Sequence, residues 1–400
     1  MGSATNEVAI VGAAAHRIGR LAPTDPEQGE SFEFDLLLET VASALAGSSI
    51  PSQAVGSVLL TLPSASTRQL GMATMLAARL GLRCTGQIAT VVEMGLTGGL
   101  AFDQACNDVA LGRSRFALAC GVSFDSATPP AIAMNQGMRV VGDVDYQSPF
   151  GITPISWYAL DATRYMHEHG VQRAQLAHIA VKNRRHALYN PLAQFRLPLS
   201  LDDVLRQRPI VEPLGLYEVP AIGDGAICVI VADVAAAREL GQPFVTVRGR
   251  GFAHDGFHPL GDRAHDMTRF PAAEQACGAA LEDAGVAIAD IDVAELYAPC
   301  TITEAIVTES AGICARGQGA LAALGGETTL GGRLPVNTSG GCLSRGHPPA
   351  VSGLYGMLEL REQLLGRAGL RQVNGARLAM ASSEGGNYNS ALVHVLEGPQ

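Results

Sequence analysis

One histidine stands where imidazole chemistry is at hand. In the run NTSGGCLSRGHPPA a glycine-rich turn delivers His347, beside Pro348, to the start of a helix. An imidazole placed there can donate to a bound carbonyl oxygen or exchange a proton with it. The same spacing suits a histidine that caps the helix or packs in the core. A second run, VVEMGLTGGLAFDQACNDVALGR, also turns through glycines into a long helix. Backbone N–H groups at the head of such a helix have no partner within it, so each turn is a ready site for an oxyanion or a phosphate.

The elements that must position these turns occur twice. VAIVGAAA reads as a strand, and Phe34, Leu37, Leu38, Val41 and Leu45 recur at helical spacing after it. The segment ALAGSSIPSQAVGSVLL returns in kind as AALEDAGVAIADIDVAELY, with Leu45 matching Leu281, Ile50 matching Val286 and Val55 matching Ile291. An internal duplication is the economical reading. The boundary falls near Gln242 and Pro243, giving halves over 1–242 and 243–400. Strands alternating with helices imply largely parallel sheets covered by helices. Between the copies, an insertion over about 125–220 carries the only tryptophan, Trp157, and the run VKNRRHALYNPLAQFR. It is too long for a simple connection, and reads either as a lid over the site or as a structural subdomain.

Composition narrows the partners. A net charge of -10 argues against a nucleic-acid or anionic-membrane surface, since both need clustered Lys and Arg. Hydrophobic residues make up 47% and charged residues 16%, which suits one large core or a core plus an oligomer interface. The opening run shows no secretory pattern and no apolar stretch reaches membrane-spanning length, so a cytoplasmic location is expected. Eight cysteines without a CxxC pair suggest neither a zinc site nor a disulfide framework.

Four ordered motifs carry a family resemblance over nearly all of the chain: ALGRSRFALACGV, VKNRRHALYNPLAQFR, PAIGDGAICVIVA, and LPVNTSGGCLSRGHP with its following helix and QLLG. Together they resemble the thiolase superfamily, and within it the sterol-carrier-protein-x thiolases, also called non-specific lipid-transfer proteins. The resemblance implies a duplicated five-layered αβαβα fold with an inserted subdomain, and a homodimer formed through the first half. It implies an acyl-CoA thioester as substrate, with no bound cofactor or metal. Relatives of this branch often associate with a small OB-fold protein carrying a zinc ribbon, and such a partner is expected here.

The resemblance also places the chemistry. Thiolases put a nucleophilic cysteine at the turn before the buried helix of the first half, where this chain reads VVEMGLTGGLAF. Aligned on Gly99, Leu96 takes the nucleophile's place, and Thr97 has no evident base to activate it. In the run AELYAPCTITEAI, Tyr297 stands where degradative thiolases carry an asparagine, and its phenol can act toward a substrate hydroxyl or simply pack. Cys300, three positions on, is the one replacement nucleophile near the site, although no helix N-terminus evidently activates it and a buried structural role ranks above it. Near the C-terminus, LAMASSEGGNYNSALVHVL offers Ser383 or Glu384 in place of the second cysteine; Glu384 is either a base or a solvated loop carboxylate. His186 falls where thiolases present a site-facing histidine. Lys182, Arg184 and Arg185 would meet CoA phosphates unless they form a solvated helix face, and Gly346 and Gly385 would lie against the acyl-CoA.

Three functions follow from the resemblance. The first is aldol or retro-aldol chemistry on a β-hydroxyacyl-CoA of lipid or steroid side-chain type, with Tyr297 taking the hydroxyl proton and His347 stabilising the thioester enolate. The second is acyl transfer, by Claisen condensation or thiolysis, through Cys300 or a partner's thiol. The third is a non-catalytic scaffold that binds acyl-CoA.

Overall fold

The computed structural model describes residues 6–21, 29–61, 69–127, 142–220, 222–256 and 266–399. Part of the expected insertion, 128–141, lies outside the described residues. The first half runs β1 (Val8–Ala15), α1 (Gly29–Gly47), β2 (Val55–Thr61), α2 (Met72–Leu80), β3 (Ile88–Val91), α3 (Thr97–Ala110) and β4 (Phe116–Ser123). The inserted region holds α4 (Pro154–His169), α5 (Arg173–Ala187), α6 (Leu201–Arg206) and a small hairpin of β5 (Pro209–Val211) and β6 (Leu214–Gly215). The chain returns through β7 (Gly225–Asp233), α7 (Val234–Glu239) and β8 (Val245–His254). It ends with α8 (Pro271–Ala284), β9 (Val293–Glu295), α9 (Thr301–Ser310), α10 (Gly319–Leu324), α11 (Gly341–Ser344), α12 (Ser352–Leu364), β10 (Leu378–Gly385) and β11 (Ser390–Glu397).

The main sheet has the order β3-β2-β4-β7-β1-β8-β11-β10-β9. On one side of the β1–β8 junction, β3, β2 and β4 are mutually parallel, and β7 is antiparallel to both β4 and β1. On the other side, β9 and β10 are parallel, and β11 is antiparallel to both β10 and β8. A single parallel bridge from Val336 to Ala294 stands where the first half has β3. The connectivity is therefore repeated, as the paired Leu45/Leu281 segments imply. The two sides meet through a short antiparallel contact, Ala9 with Thr246 and Ile10 with Val245.

Side-chain alternation along the strands sorts the core into layers. In β7, Ile227, Val229 and Val231 face a central layer built around α3 and α12, while Cys228 and Ile230 face the side of α1 and α2. In the second half, Ala379 and Ala381 face the same central layer, and Met380, Val393 and Val395 face α8 and α9. The result is the expected five-layered αβαβα arrangement. The central helices are largely buried despite polar residues such as Asp108 and Glu359. In α3, Gly98, Gly99, Ala101 and Ala105 keep the cylinder thin enough to lie between the two sides of the main sheet, and α12 does the same with Gly353 and Gly356.

Those glycines also set how the central helices meet. A Cβ on Gly98 would lie 3.1 Å from the amide nitrogen of Gly353, and a Cβ on Gly353 would lie 2.7 Å from Ser383 Oγ. The N-terminal turns of the two helices, one from each half, thus approach one another and bring their flanking turns to one place. Among the described residues, no helix is long and apolar enough to cross a membrane.

Candidate active site

Tyr297 leaves the end of β9, one of the two parallel strands of the second half, and its backbone N–H donates to Ser382 Oγ on β10 at 3.1 Å. His347 arrives by the glycine-rich turn. Gly346 has φ +107°, and a Cβ there would fall 2.5 Å from Ile18 Cγ2, so both the turn and the packing call for glycine. The segment that leads from the inserted region into β7 meets His347 through a parallel bridge at Ile222. The two side chains meet: Tyr297 Oη lies 2.8 Å from His347 Nε2.

Burial sets the protonation of this pair. His347 is 5% exposed, and desolvation, helped by the Arg345 guanidinium, pushes its pKa down to about 3. Desolvation raises the Tyr297 phenol well above its ordinary value, with Cys342 and Glu384 acting in the same direction and Arg345 opposing. Both groups are neutral at pH 7, and one proton is shared along the Oη–Nε2 axis. His347 Nδ1 is buried with no hydrogen-bond partner among the described residues. Tyr297 keeps part of its surface accessible. The pair therefore has unspent hydrogen-bonding capacity at His347 Nδ1.

Glu384 lies on β10 and is 5% exposed, so it is not a solvated loop carboxylate. Burial holds its pKa well above the usual range, which makes it a neutral acid, and it accepts from Ser382 Oγ at 3.3 Å. Ser383 Oγ is buried with no partner among the described residues, and a Cβ on either Gly99 or Gly353 would fall within 3 Å of it.

Cys300 sits at the N-cap of α9, so a helix N-terminus does meet it, against the expectation. Its thiol is nevertheless fully buried and raised well above the ordinary value by desolvation, with Cys342, Glu218 and Asp161 adding to the shift. The field of the helix is outweighed, and the sulfur stays protonated. Thr97 is spent locally: its hydroxyl donates to the Met94 carbonyl at 2.8 Å and accepts from Glu93 N–H at 2.7 Å.

In the turn before α3, neighbouring positions point at different parts of the site. Leu96 is buried and points at Gly385, whose ideal Cβ would lie 2.9 Å from Leu96 Cδ1. The residue whose side-chain direction aims at Tyr297 is Gly95.

The α5 cluster does not face the site as expected. His186 is 2% exposed, and both ring nitrogens are used: Leu330 N–H donates to Nε2 at 3.0 Å, so Nδ1 carries the proton and donates to the Asn337 carbonyl at 3.0 Å. Lys182 is buried in an ion pair with Glu304 and donates to the Val336 carbonyl at 3.0 Å. Arg184 stacks over Phe195 at 4.8 Å and reaches Ser344 Oγ at 3.3 Å. Only Arg185 of the four is exposed. His186 and Lys182 join the inserted region to the second half, and neither is free to meet a phosphate.

Two site residues escaped the sequence reading. Cys342 stands within the quoted run NTSGGCLSRGHP, and its thiol is buried close enough to raise both Tyr297 and Cys300. Tyr158 comes from α4, and its phenol is raised well above normal by burial and then by Cys300, Tyr297 and Glu384. Its ring lies 6.3 Å from that of Tyr388. Tyr158 thus brings the inserted region into the electrostatic neighbourhood of Tyr297 and Glu384. Among the described residues, no cluster of His, Cys, Asp and Glu could hold a metal ion.

Comparison with known proteins agrees with this architecture. Residues 8–233 match the family model for the N-terminal domain of thiolase, and 256–398 match the thiolase C-terminal domain-like model. The chain is 32% identical over 395 residues to an acetyl-CoA acetyltransferase of Methanothermobacter thermautotrophicus, covering 97% of this chain and 99% of that one. It is 29% identical over 336 residues to a steroid side-chain-cleaving aldolase of Thermomonospora curvata, covering 80% and 83%. The solved structure of an Ltp2-ChsH2(DUF35) aldolase aligns over 99% of both chains with a TM-score of 0.84 and 25% identity.

Proposed function

The chain belongs to the thiolase superfamily, and we propose that within it this protein makes or breaks a carbon–carbon bond in a β-hydroxyacyl-CoA without forming an acyl-enzyme. The observation that carries this reading is the 2.8 Å contact between Tyr297 Oη and His347 Nε2, in a site whose nearby thiols are held protonated. A neutral phenol and a neutral imidazole form a proton relay and do not form a nucleophile.

In the cleavage direction, the substrate β-hydroxyl gives its proton to Tyr297 Oη as the phenol proton passes to His347 Nε2. The β-carbon becomes a carbonyl, the Cα–Cβ bond breaks, and its electron pair enters the thioester enolate. An imidazolium is costly in this buried site, and the negative enolate beside it offsets that cost. The proton then goes to Cα, regenerating the neutral pair and leaving an aldehyde or ketone and a shorter acyl-CoA. Neutral Glu384 and Tyr158 act as hydrogen-bond donors nearby. Of the basic residues of α5, only the exposed Arg185 is proposed to meet the CoA phosphates.

The relationship to a steroid side-chain-cleaving aldolase and to the Ltp2-ChsH2(DUF35) aldolase supports this chemistry, and a bulky lipid or steroid side chain is the proposed acyl group. The same structure supports a small DUF35-type partner, expected to be an OB-fold protein with a zinc ribbon, beside a homodimer of this chain. A second reading, acyl transfer, is favoured by the 32% identity to an acetyl-CoA acetyltransferase. The purified protein, with and without such a partner, would be incubated with β-hydroxyacyl-CoA and β-ketoacyl-CoA thioesters and the products identified by mass spectrometry. A carbonyl product plus a shorter acyl-CoA from the hydroxy substrates supports the aldolase. Products from β-ketoacyl-CoA and free CoA alone would overturn it in favour of thiolysis.

A further inference from the structure

We infer that Gly95 is a positioning residue, whose missing side chain seats Tyr297 on His347. Backbone conformation does not explain a glycine there. In the Met94–Leu96 turn the positive φ belongs to Met94, at +43°, and Gly95 is not among the positive-φ glycines. Space explains it instead. A Cβ on Gly95 would fall 2.7 Å from Cε1 and 2.8 Å from Cζ of Tyr297, and 2.2 Å from the carbonyl oxygen of Glu384.

Tyr297 cannot simply retreat, because its backbone N–H is fixed to Ser382 Oγ and its hydroxyl to His347 Nε2. The strand end is equally confined: Gly385, next to Glu384, closes on Leu96 from the opposite side. One glycine on the turn and one on β10 thus let the head of α3 close against the strand end, with the Tyr297 ring in between. A methyl group at 95 must push either the ring or the strand. A movement of about 1 Å takes a 2.8 Å contact past hydrogen-bonding distance. The consequence for catalysis rests on the proposed role of Tyr297, whereas the seating of the ring does not.

The test compares Gly95→Ala, Tyr297→Phe and the double variant by turnover at saturating substrate, by melting temperature, and by 15N NMR of the His347 imidazole, assigned through its loss in His347→Gln. Gly95→Ala is expected to lower kcat about 100-fold with KM little changed. The double variant should be no slower than Tyr297→Phe, and the His347 signal of Gly95→Ala should move to that of Tyr297→Phe. A double variant slower by the whole Gly95→Ala factor, or an unmoved His347 signal, would overturn the inference. If Tyr297→Phe is fully active, the proposed reaction fails, and the NMR signal still decides the seating. Should Gly95→Ala not fold, Gly95→Ala/Tyr297→Ala, which removes the ring but leaves the 2.2 Å approach to the Glu384 carbonyl oxygen, is expected to recover a melting transition, below that of Tyr297→Ala. No recovery would place the obstacle at Glu384 alone and overturn the inference.

Discussion

The Tyr297–His347 pair and the Lys182–His186 cluster are both buried, both hold a histidine depressed to about 3, and both stand in runs that look chemical. They differ in what remains unspent. His186 uses both ring nitrogens and Lys182 is tied to Glu304 and Val336, whereas His347 keeps Nδ1 without a partner and Tyr297 keeps part of its surface accessible. A saturated polar cluster holds elements together. An unsaturated one keeps hydrogen-bonding capacity that a substrate can use.

The sharpest way to break that contrast is to remove each group in turn. Tyr297→Phe and His347→Ala are each expected to lower kcat by about 10²–10⁴ with melting temperatures close to the parent. Steady-state kinetics with a β-hydroxyacyl-CoA would check this, and a tenth or more of parental activity in either variant would remove the pair from the mechanism. Lys182→Ala should do the reverse. It strands Glu304, whose side chain is 2% exposed, and is expected to cost about 3–5 kcal/mol in denaturant unfolding, with unchanged turnover per folded molecule.

A smaller effect separates the histidines from the rest of the chain by pH. His186 and His347 titrate near 6.5 when unfolded and near 3 when folded. Between those values the unfolded state binds more protons, so stability should fall as pH drops from 6.5 toward 3 and be unaffected by these groups above 6.5. His186→Asn is expected to flatten the melting temperature against pH in that window, and an unchanged slope would contradict its buried neutral state. The smallest effect is expected for Cys300→Ser, which should keep nearly all activity because the thiol is never ionised. Loss of turnover in a folded Cys300→Ser protein would favour acyl transfer.

The sequence carried the fold well because duplication is a repeated pattern: Leu45 with Leu281 and Val55 with Ile291 mark helix–strand units that the sheet order repeats. It marked Tyr297 and His347 as candidates because each lies in a recognisable run beside a turn, and the two side chains meet. It could not separate His186 from a catalytic histidine, because the groups that saturate it, Leu330 and Asn337, are 144 and 151 positions away. Tyr158 was invisible for a related reason: the inserted region has no counterpart in the other half against which to read it. That Gly95 faces Tyr297 while Leu96 packs on Gly385 was likewise unreadable from the sequence, because it depends on the direction of each Cα–Cβ bond in the turn.

The central claim is that the Tyr297–His347 pair takes one proton from the substrate hydroxyl and delivers one to the α-carbon, with no acyl group on the protein. It is tested most directly by turnover in deuterium oxide, reading the shorter acyl-CoA and the intact protein by mass spectrometry. The expected result is one deuterium at Cα of the acyl-CoA and a protein of unchanged mass. A protein heavier by the acyl group, with the adduct on a cysteine, would contradict it.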